Sequence, residues 1–398
     1  MSYKVLHICS STDGGAGIAA LRLHRALRQS DIDSKFLCLN TRVNDTNVFT
    51  HPISIYSRII RHLPIKFRQN KYNRYEGILS NKYESISFPE SIFDISKNPL
   101  VEEADIINLH WIGNMMNYPK FFKRIKKPIV WTLHDMNPFL GFAHYLGDIN
   151  RNPQYLELEN KIKQIKLKSY TNSSSISIVN LCKWMYEYSS ESDAFKDRNH
   201  HIIPNCIDTE VFKLRNKNVV RLLLEIPDDK PVIMFCCQSL SNPRKGWDIM
   251  LNALELISSD LTVITVGNNT GVTVRSYHNI KSFGNISDEN FLSLIYSAAD
   301  AFILPSREDN LPNTMLESLC CGTPVISFKN GGMRDIINTH NGILVPEQKP
   351  QALASAIDAF IETRNQYSPL EISQNARNLF NPQNQALKYD KLYRSLLI

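Results

Sequence analysis

Asp309 and Glu317 are two carboxylates with seven residues between them, in the segment LPSREDNLPNTMLESLCCGTPV that spans positions 304 to 325. An apolar run at 300 to 304 reads as a strand. Pro305 and Pro312 then break regular structure, and Asn313 or Thr314 is expected to cap a helix whose first turns contain Glu317. A strand, a loop and a helix N-terminus in succession is where an α/β protein takes up an anion. One acid in the loop and one on the helix suit a ligand with hydroxyl groups on both sides of a phosphate, as in a sugar nucleotide. The loop acid would hold the sugar and Glu317 the ribose. Two acids at an arbitrary spacing are more often plain turn and surface residues, so the surroundings decide.

Those surroundings are rich in further candidates. Asn242-Pro-Arg-Lys-Gly-Trp247 offers Arg244 and Lys245 side by side, a bidentate and a point-charge donor suited to a departing diphosphate. Trp131-Thr-Leu-His-Asp-Met-Asn-Pro-Phe139 places His134 and Asp135 at the end of a buried strand, the edge at which α/β sheets present ligand-binding groups. The first loop, Thr12-Asp-Gly-Gly-Ala-Gly17, fits G-x-G-x-x-A through Gly15, Gly17 and Ala20. A dinucleotide site is disfavoured, because the second strand ends in Leu39-Asn40-Thr41 with no acid for a ribose. A glycine loop before a helix still allows close backbone approach to a ligand.

The segment at 304 to 325 resembles the donor-binding signature of retaining glycosyltransferases of family four. There PS, an acid, seven residues, Glu and CGTPV recur in this order, on the GT-B fold of two facing Rossmann-like domains with a cleft between them. The first acid of that signature is usually Glu; this chain has Asp309, preceded by Glu308. Residues 132 to 139 look like the TLHD-x-x-PF motif of a subgroup whose His contacts the donor sugar, and His144-Tyr145 fits the same subgroup. The resemblance implies His134 for positioning the sugar and Asp135 for the acceptor hydroxyl. It implies Arg244 and Lys245 on the diphosphate, although Leu240 stands where the commonest pattern has an Arg. Asp309 and Glu317 complete the expected catalytic set. Gly14, Gly15, Gly17, Glu308, Asn310, Leu311, Asn313 and Thr314 are the expected donor-lining residues. Pro204-Asn-Cys-Ile-Asp208 is similar to the family's PNGID hinge, with Cys206 for Gly.

Strands and helices alternate along the chain as such a fold requires. Strands are expected at 4 to 9, 35 to 39, 106 to 109, 129 to 133, 177 to 181, 232 to 236, 262 to 266, 301 to 304 and 325 to 328. Helices are expected at 18 to 29, after Pro153, at 247 to 257 and at 288 to 299. The expected architecture is α/β, with an acceptor-side domain at 1–205 and a nucleotide-sugar domain at 206–383. A final helix at about 384–398 is expected to return to the first domain. The 398 residues suffice for two full cores, and a hydrophobic fraction of 43% excludes a mainly disordered chain.

Eight Cys are scattered without C-x-x-C pairs and read as buried thiols; no metal site is expected. No run of about 18 apolar residues and no signal peptide is legible, so a cytoplasmic protein is expected. The segment RIIRHLPIKFRQNKYNR, 58 to 74, carries six Arg and Lys and no acid, with apolar residues interleaved. It suits a peripheral contact with an anionic membrane surface better than nucleic acid, for which no recognition motif is present.

The resulting expectation is a hexosyltransferase of EC class 2.4. It would move a hexose with retention from a UDP- or GDP-sugar, without a metal or cofactor, to an acceptor hydroxyl. The family and the basic segment point to a lipid-linked envelope glycan as acceptor, as in O-antigen, capsule or exopolysaccharide synthesis. A sugar-nucleotide epimerase of the same architecture and a non-catalytic donor-binding protein remain as alternatives.

Overall fold

The computed structural model describes residues 2–52, 73–173, 175–268 and 279–397. The chain divides into two compact units, one of residues Met1–Pro204 with Gln385–Ile398, the other of residues Asn205–Asn384.

The first unit is built on a parallel sheet of β1 (Lys4–Ile8), β2 (Asp33–Cys38), β3 (Val48–Thr50), β4 (Ile106–Leu109), β5 (Ile129–Leu133), β6 (Ile176–Asn180) and β7 (Asn199–Ile202). Their order is β3-β2-β1-β4-β5-β6-β7. The central strands are buried on both faces because helices cover both, which is why they read as short, mostly hydrophobic runs. The helix Pro382–Ser395 packs on one face. Its Ala386, Tyr389, Leu392 and Tyr393 share a core with Val5, Leu23, Leu27, Ile106 and Val130. Two of its hydroxyls also find polar partners inside: Asn108 donates to the Tyr393 hydroxyl at 2.7 Å, and Thr132 Oγ1 lies 2.9 Å from the Tyr389 hydroxyl.

The second unit repeats the plan with β8 (Val232–Ser239), β9 (Thr262–Asn268), β10 (Asn279–Ser282), β11 (Ala301–Leu304), β12 (Val325–Phe328) and β13 (Gly342–Val345), ordered β10-β9-β8-β11-β12-β13 and parallel throughout. In both sheets the order reverses beside the first strand, between β1 and β4 and between β8 and β11. Chain leaving two such strands diverges to opposite faces, opening a crevice at their carboxyl ends.

Two local expectations are corrected. The first helix is Gly14–Gln29, so Gly14, Gly15 and Gly17 form its opening turn rather than a loop ahead of it. Gly14 sits at φ +74, and a Cβ on Gly17 would come within 2.5 Å of the Ser11 carbonyl oxygen. The glycines let the helix begin directly against the end of β1. The helix that carries Glu317 is Asn313–Cys320, and its N-cap is Pro312, which offers no side-chain bond. Asn313 does not cap it: its Oδ1 accepts from Asn205 Nδ2 at 3.0 Å, tying the 204–208 segment to the start of this helix.

All eight cysteines are buried and joined by no disulfide. Burial pushes the Cys9 and Cys237 thiols up to about 11 and those of Cys38 and Cys321 up to about 12, which keeps them protonated. The basic run at 58 to 74 lies outside the described residues apart from the first backbone positions of the helix Asn73–Leu79.

Candidate functional site

At the crevice of the second unit, the loop after β8 and the loop after β11 are bound to one another. Asn242 caps a single turn by accepting from the Arg244 amide at 3.0 Å, so Arg244 and Lys245 leave the same turn together. Arg244 Nη1 lies 3.1 Å from Asp309 Oδ1 and donates to the Glu308 carbonyl at 2.9 Å; Lys245 Nζ lies 2.5 Å from Asp309 Oδ2. The Arg307 amide donates to the Arg244 carbonyl at 2.8 Å. Asp309 is 6% exposed. Burial alone would raise its pKa, but Lys245 and Arg244 outweigh that and hold it below the usual carboxylate value. Two cations thus face the one Asp309 carboxylate, and Glu308 joins them through its backbone carbonyl.

Backbone packing fixes this cluster. Gly246, at φ +73, follows Lys245, and a Cβ there would fall 2.0 Å from the Pro305 carbonyl oxygen. Gly331, at φ +51, would bring a Cβ to 1.9 Å from the carbonyl oxygen of Asp309. The Gly332 amide donates to the Asn310 carbonyl at 2.7 Å. Gly246→Ala combines left-handed strain with displacement of the loop that holds Asp309, and is expected to cost about 2 kcal/mol or more of unfolding free energy, read by urea titration.

Glu317, 5% exposed, lies within the body of its helix, where its Oε2 accepts from the Tyr296 hydroxyl at 3.3 Å. Leu311 and Asn310 are buried in the turn before the helix, and Thr314 is half-buried in its first turn. The structure thus gathers Arg244, Lys245, Glu308 and Asp309 into one cluster and sets the start of the Asn313 helix directly after it. A helix start beside two cations brings together the amides and the positive charge that anion binding uses.

In the first unit, His134 and Asp135 follow β5 as expected, but their partners include residues that sequence reading passed over. Asp135 accepts from the Trp111 indole at 2.8 Å, the Asn137 amide at 2.9 Å and His144 Nδ1 at 2.5 Å. Its carboxylate is therefore engaged on three sides within the protein. Burial pushes its pKa up, but His144 and these hydrogen bonds pull it below the usual value. His144 Nε2 lies 2.9 Å from the Ser87 hydroxyl. Trp111, His134, Asp135 and His144 line a small cavity with room for about one water. Gly14, Gly15 and Gly17 stand at the end of β1, on the same carboxyl edge of the sheet but on a separate element.

This second cluster rests on the helix Leu156–Tyr170, whose sequence looks like a solvated, Lys-rich face. Glu159 and Lys166 are nonetheless buried at 4% and 1% exposure. Glu159 accepts from the amides of Gly141, Phe142 and Ala143; Lys166 donates to the carbonyl and the side-chain oxygen of Asn137. They hold the loop that returns His144 to Asp135. The overlooked Trp111 and His110 follow β4, and their signal was the apolar run 106 to 109 ending in His-Trp, at the same sheet edge as His134.

Among the described residues, no three His, Cys, Asp or Glu are arranged to hold a metal ion, and no helix is long and apolar enough to cross a membrane.

Residues 230–363 match the family model Glycosyl transferases group 1. The chain is 24% identical over 278 residues to a D-inositol 3-phosphate glycosyltransferase of Xylanimonas cellulosilytica, covering 65% of this chain and 63% of that protein's length. It is 22% identical to an Escherichia coli protein named as a colanic acid biosynthesis glycosyl transferase, WcaC, over 96% of this chain and 97% of the relative. The Anabaena protein Alr3699/HepE, solved with UDP and glucose, superposes with a TM-score of 0.68 at 15% identity, over 99% of this chain and 100% of the other.

Proposed function

We propose that this chain, a group 1 glycosyltransferase of the GT-B fold, moves a hexose from a UDP- or GDP-sugar to an acceptor hydroxyl with retention of anomeric configuration. The observation that carries this reading is the Arg244–Lys245–Asp309 cluster beside the helix start at Asn313, at the point where the strand order of the second sheet reverses. A diphosphate placed there meets two fixed cations and helical amides, which stabilise the charge that develops as its bond to the sugar breaks. That arrangement supplies with protein groups what a metal ion supplies in other transferases. Glu317 holds the ribose, Asp309 and Glu308 border the donor, and His134 positions the sugar. Asp135 fixes Trp111 and His144 around the acceptor hydroxyl.

The acceptor in this reading is a lipid-linked envelope glycan, reached from the cytoplasmic side of the membrane through the basic run at 58 to 74. Support comes from the composition of that run and from the colanic acid biosynthesis for which the WcaC relative is named.

A thermal-shift screen of UDP- and GDP-sugars tests the donor, since a ligand that binds only the folded state raises its stability. A melting shift with one of them is expected, and no shift with any would overturn the reading. With that donor and an acceptor glycan, transfer is expected to survive EDTA; loss of activity restored only by a divalent ion would refute the cation-clamp role. Incubation with donor alone is expected to return it unchanged, whereas an altered sugar would indicate an epimerase.

A further inference from the structure

Three imidazoles from three neighbouring strands touch in a row. His7 Nδ1 lies 2.9 Å from His110 Nε2, and His110 Nδ1 lies 3.0 Å from His134 Nε2. The sheet produces this row by register. His7 on β1 is paired with Asn108 on β4, and His110 stands two residues further on; Asn108 is paired with Val130 on β5, and His134 stands four further on. Alternation puts all three on one face, each stepped two residues past its neighbour, so the row runs diagonally from the interior to the carboxyl edge. His7 and His110 are buried, His134 half-buried at the cavity beside Asp135.

We infer that His7 and His110 are positioning residues that hold His134 as its Nδ1–H tautomer, a fixed neutral hydrogen-bond donor at the end of β5. Nitrogens about 3 Å apart share one proton per contact and leave no space for an ion between them. Burial lowers the pKa of His7 and His110 far below the ordinary imidazole value and that of His134 to about 4, so each ring carries a single proton at neutral pH. Only two proton arrangements then satisfy both contacts. If His134 donates inward from Nε2, His110 donates from Nε2 to His7, and the row ends on a buried His7 Nε2–H. That nitrogen has no partner among the described residues, and the neighbouring His24, edge-on at 5.9 Å, offers none. If His7 donates outward from Nδ1, the row ends inside on a bare lone pair. An orphaned buried N–H is the costlier of the two, so the outward arrangement is favoured. His134 then accepts at Nε2 and keeps its proton on Nδ1. That a sugar hydroxyl takes this bond rests on the proposed donor reading.

Two-bond proton–nitrogen correlation spectra of the full chain with 15N-labelled histidine, ligand-free and near pH 7.5, decide the matter, His134→Gln identifying the signal. The expected result is a His134 ring protonated on Nδ1. His7→Leu removes the inner donor and is expected to shift His134 toward the Nε2–H form. His7→Asn, whose amide can occupy the position of Nδ1–H, is expected to restore the wild-type spectrum. With the donor sugar, His7→Leu is expected to raise KM about tenfold with kcat little changed, the scale of one lost hydrogen bond, and His7→Asn to reverse this. A wild-type His134 protonated on Nε2 overturns the inference even if both variants fail to fold. So does an unchanged His134 spectrum in a folded His7→Leu chain. Because the spectra need no ligand, their failure leaves the transfer reading intact, and a negative nucleotide-sugar screen leaves the tautomer assignment intact.

Discussion

Lys245→Ala and Glu317→Ala are each expected to lower kcat/KM by roughly 100-fold or more with the donor found in the screen, the scale seen when a preorganised charge contact is lost. The two variants should differ in how the loss divides. Lys245 belongs to the pair of cations proposed to stabilise the leaving diphosphate, so its removal should appear mainly in kcat. Arg244 would still hold Asp309 at 3.1 Å, and the loop should therefore keep its place. Glu317 is proposed to contact the ribose, which does not react, so its removal should appear mainly as a higher donor KM. Steady-state kinetics with circular dichroism as a folding control provide the measurement. Full activity in both variants would show that the donor phosphates and ribose bind elsewhere.

Strands β4, β5, β11 and β12 were legible in the sequence to the residue, because a parallel strand buried on both faces is a short, mostly apolar run. The edge strands β7, Asn-His-His-Ile, and β10, Asn-Ile-Lys-Ser, were not, since a half-exposed edge imposes no such pattern. In the candidate site, residues set by local motifs were legible: Arg244, Lys245, Asp309 and Glu317 all fall near the carboxyl ends of β8 and β11. Residues defined by contacts distant in sequence were not. His7 is an unremarked member of an apolar strand until the register sets it against His110, 103 positions later. Glu159 and Lys166 look like solvated charges because the amides and carbonyls that satisfy them belong to a loop 16 to 29 residues away.

That loop is the subject of the largest stability effect expected. Glu159→Ala should lower the unfolding free energy by about 3 kcal/mol or more, since it removes the acceptor for three amides at once and leaves them buried, each at a cost of about 1–3 kcal/mol when unsatisfied. Water entering the space can recover part of this, which keeps the total below a simple sum. Glu159→Gln retains one carbonyl oxygen and should fall between the two. The change also reaches Lys166, seven residues along the same helix. Burial lowers the Lys166 pKa from 10.5 to about 7, with Glu159 and Asp135 pulling it back up. Because the folded state gives up this proton before the unfolded state does, the group's penalty is full below pH 7 and is relieved as pH rises toward 10.5. Without Glu159 the folded pKa should drop further, so relief should begin at lower pH. Urea titrations of wild type and Glu159→Ala between pH 6 and 9 would show both effects. A loss under 1 kcal/mol at pH 7 would mean that the three amides find other acceptors, and that the loop bearing His144 is held by Lys166 and Asn137 without help from Glu159.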